Sequence, residues 1–545
     1  MVFLHLDEDT LVLIFRFLPV SSFIALRQTC KRLESISRLR FIWRHACIDQ
    51  VLSRGYPFPT RQLATASSSE LERLVIHALR LGSLWTSPGE ESYPQPLEFQ
   101  ASTGTGVSHV QFLPGHGGRF VVTVYKGIWS MITCWDIGDV SRRLTHNARK
   151  LGDWCPKNTI FAGFAVNSDP DSIAALAVAV QHGGGTQSIE VLSVSTDDGT
   201  SCFRSICNIA TTFRPVALQG DLIAFSDDAS ETIIMNWHEN TFAMLKGFQR
   251  PVDEHFQYNR CLQIFFAYKS VLVVRARSVE LFAEPELRPA GGDCTTYHPI
   301  GFHTFGWIDG VAVNAQKGPL IDAEGLARPL GHEPLSILLR SESDDPWASD
   351  VHKLEQYILS PNPAFDDLSG LPRAYHSGQP NEHPVTEDVE PPAPYLFPPV
   401  RAEHTSPTVR GFLRCRDIAL GPSGTALWIQ PRAARTAHLT GLDVHSSLTQ
   451  IADVMNPDYQ HPEDVPLNPG DPHRPTGRAR IAESLCAAVF AGPLQRRHPE
   501  MQTQARTLWV QGKEGCNWTA VDYDEEAGRV ALGSSDGSVT VLGLV

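Results

Sequence analysis

The chain has 545 residues, with 46 Lys and Arg against 60 Asp and Glu and a formal charge of −14. That balance excludes a protein whose affinity for nucleic acid or an anionic membrane rests on global charge. With 42% hydrophobic and 19% charged residues a large core is expected and wholesale disorder is excluded, while 39 Pro and 41 Gly indicate many turns or inserts.

The longest clean apolar run, Ile173 to Val180, is eight residues, far below the roughly 20 that cross a bilayer, so no membrane association is expected. The N-terminus lacks a basic stretch and meets Asp7, Glu8 and Asp9 where a signal peptide would be apolar. The expectation is an intracellular protein, cytoplasmic or nuclear. Eleven Cys, an odd number with no Cys-x-x-Cys pair, read as reduced thiols rather than a disulfide framework or zinc site. Asn517-Trp518-Thr519 fits a glycosylation sequon by coincidence if no secretory route exists. No metal and no cofactor are expected.

Residues 1–52 form a first helical unit, with a dense helical pattern over 7–52. The acids at 7 to 9 suit a helix start, where they complement the dipole and can cap free N–H groups. Helix one then runs to about Phe17, with Leu11, Ile14, Phe15 and Leu18 on one stripe and Val12, Leu13 and Phe17 filling the opposite side. A helix that is apolar all round must be covered all round. Pro19 ends it, Ser21 or Ser22 caps a second helix with Phe23, Leu26, Cys30 and Leu33 inward, and Lys31-Arg32 falls in its last turn. A third helix carries Leu39, Ile42, Trp43, Ala46 and Cys47. So small a unit hides only about 60% of its surface. Covering three or four more large side chains from outside would contribute on the order of 5 to 12 kcal/mol before association costs. A partner for this unit is expected.

Leu6, Asp9, Leu11, Ile14-Phe15, Leu18-Pro19, Ser22, Leu26, Cys30-Lys31-Arg32-Leu33 and Trp43 together resemble an F-box, the helical motif that docks onto the Skp adaptor of cullin-based ubiquitin ligases. The resemblance implies that Leu6, Asp7, Leu11, Ile14, Phe15, Leu18 and Trp43 build or present the adaptor surface, while Leu26, Cys30 and Leu33 mainly pack the bundle. The family usually has proline after the first leucine, where this chain has Asp7. Either adaptor contact is weakened there, or Asp7 caps helix one instead.

Residues 53–94 form a linker. Within it Ser69-Glu70-Leu71-Glu72 reads as a capping box with Ser69 at the N-cap and Glu72 at N3, opening an amphipathic helix over about 69–82 that packs as a connector.

From about residue 95 to 545 the pattern changes to short β-rich runs between turn residues, such as Phe120 to Tyr125, Ile189 to Val194 and Val271 to Val274. Their spacing suits four-stranded blades of about 40 to 45 residues. The clearest copy is the last: Trp518 to Asp524, Gly528 to Ser534, an Asp536-Gly537 hairpin, then Ser538 to Leu542. It is similar to WD-repeat blades, with partial copies at Ile418 to Trp428 and at Trp135-Asp136, although most repeats lack both the Gly-His and Trp-Asp signatures. The fold class is therefore α+β multidomain: a helical F-box bundle and linker helix, then a mainly-β, propeller-like domain for which seven blades is the working number. A pair of β-sandwiches is the alternative. Two inserts, 361–410 with 11 Pro and 453–478 with six, are expected to be mobile loops. They are either inert spacers or partner sites, for instance through Tyr395-Leu396-Phe397.

Two enzyme-like motifs fail on chemistry. Gly533-Ser534-Ser535-Asp536-Gly537 matches a nucleophile elbow, but that elbow needs a helix after it and a histidine later in the chain, and neither follows. His182-Gly183-Gly184-Gly185 is better read as a hairpin turn between two strands. Phosphate-cradling and His-Glu-x-x-His motifs do not occur. The expectation is a non-catalytic substrate receptor of an SCF-type ubiquitin ligase. It would bind the Skp adaptor, through it cullin and RING subunits, and a protein substrate on the β domain. The alternative is a non-degradative scaffold. The substrate-binding residues are not legible; Arg260 or Arg275 could meet a phosphorylated segment, or simply be surface arginines.

Overall fold

The computed structural model describes residues 6–87, 95–127, 130–138, 148–196, 202–248, 259–289, 295–317, 332–341, 351–365, 393–409, 415, 417–431, 483–500, 505–513 and 516–545. The 453–478 insert lies outside the described residues, as does 366–392 of the first insert.

Where three helices were expected in the opening unit, four form: α1 (Glu8–Phe17), α2 (Val20–Arg27), α3 (Lys31–Ser37) and α4 (Arg40–Ala46). A π turn (Cys47–Val51) and a 3-10 turn (Leu52–Arg54) extend α4. The second expected helix breaks at Cys30, whose backbone is extended, so Lys31-Arg32 opens α3 instead of closing α2. The break folds Leu33 and Ile36 back into the core with Phe15 and Phe23, which one straight helix could not do. Neither Ser21 nor Ser22 caps α2. It begins directly after Pro19, and its first amide, Val20 N–H, donates to Gln50 Oε1 (2.9 Å) while Gln50 Nε2 donates to Leu18 O (2.9 Å).

After a short α5 (Gln62–Thr65), the linker helix α6 runs Ser68–Thr86, starting earlier and ending later than expected. Its capping box uses Ser67 and Glu70: Ser67 N–H donates to Glu70 Oε2 (2.8 Å) and Glu70 N–H to Ser67 Oγ (3.3 Å). The box predicted from Ser69 and Glu72 is displaced because Glu72 is taken by Arg27, with bonds of 2.6 and 3.0 Å. The buried residues Leu71, Val75, Ala78, Leu81, Leu84 and Trp85 wrap more than one stripe of α6. The helix is thus clamped between the helical bundle and the β domain, with the Tyr56 ring lying over Gly82 and Leu81 against Gly528.

The described residues from 97 to 545 form seven small sheets, so the sandwich alternative is overturned. Six follow one another along the chain, except that the third also takes the short strands Arg288–Pro289 and Thr296–Tyr297 from within the span of the fourth. Their first strands are Val107–Phe112, Thr159–Val166, Arg214–Gln219, Cys261–Ala267, Ile308–Ala315 and Ile418–Leu420. The seventh joins Trp518–Asp524, Arg529–Ser534 and Ser538–Gly543 to the much earlier strand Leu97–Gln100, which pairs antiparallel in the register Leu97↔Val541 to Gln100↔Ser538. The first strands of most neighbouring sheets touch one another, and this exchange of ends completes the last sheet to four strands and closes the propeller-shaped ring. Gly537 turns the final hairpin at φ +83°, and a Cβ there would sit 2.1 Å from Ser102 O.

Carboxylates stitch the closing sheets together. Asp522 Oδ2 accepts Phe112 N–H (2.7 Å), Asp417 Oδ2 accepts Val521 N–H (3.2 Å) and Glu483 Oε2 accepts Trp518 N–H (2.6 Å). Glu525 accepts Ser423 N–H at 2.9 Å and the Thr425 hydroxyl at 2.5 Å. Burial raises the pKa of Asp522 to about 6 and raises those of Asp417 and Glu525.

The expectation of a mobile loop over 361–410 fails at its far end. Val400–Val409 is the fourth strand of sheet five. Tyr395 is buried with its ring 5.3 Å from His332, and Phe397 lies on Gly301. Two aromatic anchors hold the returning chain against sheets four and five, so Tyr395-Leu396-Phe397 is mostly core, with Leu396 alone of the three exposed. The Gly183 to Gly185 segment is the hairpin turn expected, with Gly185 at φ +83°.

Candidate protein-interaction site

The helical unit is built around an aromatic stack. Phe23 lies 6.0 Å from Phe15 and 5.0 Å, edge-on, from Trp43. Trp43 Nε1 donates to Ser37 O (2.8 Å), and the Arg27 guanidinium lies 5.8 Å from the Trp43 ring. Arg27 also joins α2 to α6 through Glu72. Leu11, Phe15 and Trp43 are 0, 1 and 0% exposed, so they build the unit from inside and present nothing to a partner. Leu6, Ile14 and Leu18 are half-buried at its rim and Asp7 is exposed. Of the packing trio, Leu33 is buried, whereas Leu26 and Cys30 are only half-buried.

Asp7 stands at the N-cap position of α1 without a side-chain cap bond; its carboxylate accepts the Thr10 hydroxyl instead, which lowers its pKa. Capping of helix one by Asp7 is therefore corrected to a local Asp–Thr bond.

Residues that the family resemblance did not single out form the bare surface. Phe17 is 87% exposed and Leu13 50%, one turn apart on α1, and Phe41 and Ile48 are also exposed. Their signal was present in the sequence as the second apolar side of helix one. The opposite side of the unit is covered by the chain itself: Leu11, Phe15, Trp43 and the α6 residues share one core with Leu427, Leu485, Trp518, Leu532 and Leu542 of sheets six and seven and with Leu494 of the short helix Pro493–Arg497. Polar contacts fix the joint. Lys317 Nζ donates to Phe58 O (2.7 Å), Arg506 Nη1 to Leu84 O (2.8 Å), and Tyr56 stacks on His498 at 5.7 Å.

The helices attach where the inner strands of the ring finish. At the other end, where those strands begin, cations from three sheets converge beside His109: Lys126 of sheet one, Arg214 of sheet three and Arg260 beside sheet four. Burial, then Lys126 and Arg260, push His109 down to about 4. Burial, then Arg214 and Arg260, lower Lys126. Arg260 is exposed, as a ligand-meeting residue must be. Arg275 is not: fully buried, it pairs with Glu280 (3.3 Å) and donates to Ser230 O (2.7 Å), tying sheet four to sheet three. Among the described residues no cluster of three or more His, Cys, Asp and Glu is placed to hold a metal, and no helix is long and apolar enough to cross a membrane.

Residues 4–49 match the model of the F-box-like family. The chain thus has an N-terminal F-box-like domain, a non-catalytic protein-interaction module, followed by a ring-shaped β-sheet domain. No curated protein matches. Among solved structures, one chain of the Chaetomium thermophilum polycomb repressive complex 2 aligns over 84% of this chain and 98% of its own, at 12% identity and a TM-score of 0.44. A chain of an active polycomb repressive complex 2 in the basal state aligns over 83% and 97%, at 12% identity and 0.42. Likenesses this distant carry nothing about partners.

Proposed function

We propose that this chain is a substrate-recognition subunit of an SCF-type ubiquitin ligase. The F-box-like helices dock on the Skp adaptor, cullin and RING subunits follow through it, and the ring holds a protein substrate. The observation that carries the reading is the pair Leu13 and Phe17, left bare at 50 and 87% exposure on a unit whose other side is already covered by the ring. Large apolar side chains held out on a rigid helix gain from being covered by about 1.5 to 3 kcal/mol each. Phe41 and Ile48 extend the apolar character of the unit's surface, while the half-buried Leu6, Ile14 and Leu18 line its rim.

The ring supplies distance and orientation rather than chemistry. The clamped α6 fixes the angle between the docking helices and the substrate end, so a bound client is held near the activated ubiquitin at high effective concentration. The converging cations Lys126, Arg214 and Arg260 favour an acidic client segment at that end.

Affinity isolation of the full chain from cells tests the reading. Adaptor and cullin are recovered together with a client that accumulates when the chain is removed. Adaptor without cullin, and no client whose lifetime changes, identifies a non-degradative scaffold instead.

A further inference from the structure

A cleft of about 1230 Å³ opens along one flank of α6 beside the ring. One wall is the flank of α6 carrying Arg73, His77 and Arg80; the other is formed by the turn His116 to Phe120 of sheet one and the turn Asp524 to Ala527 of sheet seven. It exceeds the range of about 300 to 1,000 Å³ typical of small-molecule pockets. In a chain of net charge −14 the lining is basic, with five arginines against three acids.

Those acids are already engaged, and so are three of the arginines: Arg27 pairs with Glu72, Arg38 with Glu34 and Arg119 with Asp136. Glu72 holds Arg27 in two bonds, Asp524 Oδ1 accepts Ala527 N–H (3.0 Å), and Glu526 pairs with Lys317. Arg73 and Arg80 are exposed on α6. Burial lowers the pKa of His77, and the charges of Arg529, Arg73 and Arg80 add to that shift, so the potential along this wall is positive. Neutral His77 is fixed in place, its Nε2 lying 3.1 Å from Ala527 O.

The spacing selects the shape of a ligand. Seven residues of helix place Arg73 and Arg80 about 10 Å apart. In a polyproline II peptide, with three residues per turn and a rise of about 3.1 Å, groups at i and i+3 share a side at about 9 Å. We propose that this cleft binds an extended acidic peptide whose anionic side chains, three residues apart, meet Arg73 and Arg80. This peptide site lies at the joint of the two bodies, at the opposite end of the ring from the cations around Arg260, and it does not depend on adaptor docking.

The test is fluorescence anisotropy on the full chain with fluorescein-labelled proline-rich peptides carrying two glutamates, or two phosphoserines, at i and i+3. Saturable binding that weakens with salt is expected for at least one, and the comparison shows whether carboxylate or phosphate is preferred. R73E with R80E should weaken it at least about tenfold while melting temperature and adaptor binding stay unchanged, since both positions are exposed. R73Q with R80Q, which keeps much of the side-chain length, should cause a loss in the same direction. The proposal is overturned if neither peptide binds, if both double variants bind like the parent, or if peptides with the same acids at i and i+1 bind equally well.

Discussion

The ring and the helical unit bury their apolar surface by different routes. Each sheet of the ring has two neighbours, and the strand Leu97–Gln100 completes the seventh, so its cores close within the chain. The helical unit has no such closure. It shares one core with sheets six and seven and leaves Leu13 and Phe17 uncovered on α1. A closed architecture can satisfy itself; about fifty residues of short helix need a host on one side and, by the same accounting, a partner on the other.

The sharpest way to break that contrast is to hollow the helical unit. Leu11→Ala with Phe15→Ala, both in the shared core, should cost about 5 kcal/mol or more, seen as a large fall in the urea midpoint. A small effect would mean that this core contributes little. Next comes the closure of the ring. Gly537→Ala adds a Cβ 2.1 Å from Ser102 O at φ +83° and should cost about 2 to 4 kcal/mol, with Leu97–Gln100 losing amide-exchange protection first.

Smaller again is the effect of pH on the stitched junctions. The native pKa of Asp522 is about 6, against an ordinary value of 3.8, so the folded chain retains a proton that the unfolded chain releases between those values. The protonated native form contributes stability that is lost as pH rises through about 6. Asp522→Asn keeps an acceptor for Phe112 N–H without the charge. It should therefore be about 1 to 2 kcal/mol more stable than the parent at pH 8 and nearly equal to it below pH 4, as read from paired denaturation curves. At the bottom of the scale, Leu13→Ala with Phe17→Ala should leave stability within about 0.5 kcal/mol, because both side chains face outward.

How much of this was legible in the sequence follows the same division. The opening unit was readable because helical spacing and Pro19 act locally, and the last sheet because the Asp536-Gly537 turn fixes a hairpin by itself. Helix boundaries were missed where distant partners decide them: Gln50 starts α2, and Arg27 removes Glu72 from the capping box. The anchoring of Tyr395 and Phe397 depends on His332 and Gly301, far along the chain, and a proline-rich composition conceals it. For the same reason Arg275 and Arg260 looked alike in sequence, yet one is a buried tie between sheets and the other is exposed. Stripe counting on α1 revealed that both sides were apolar, but only the packing against the ring shows which side remains bare.

The most direct test of the central claim is the affinity of the full chain for purified Skp adaptor, measured by calorimetry for the parent and for the Leu13→Ala, Phe17→Ala double variant. The account predicts binding by the parent and a loss of at least about thirtyfold in the variant, or about 2 kcal/mol, at unchanged melting temperature. No binding by the parent, or equal binding by a folded variant, would contradict it.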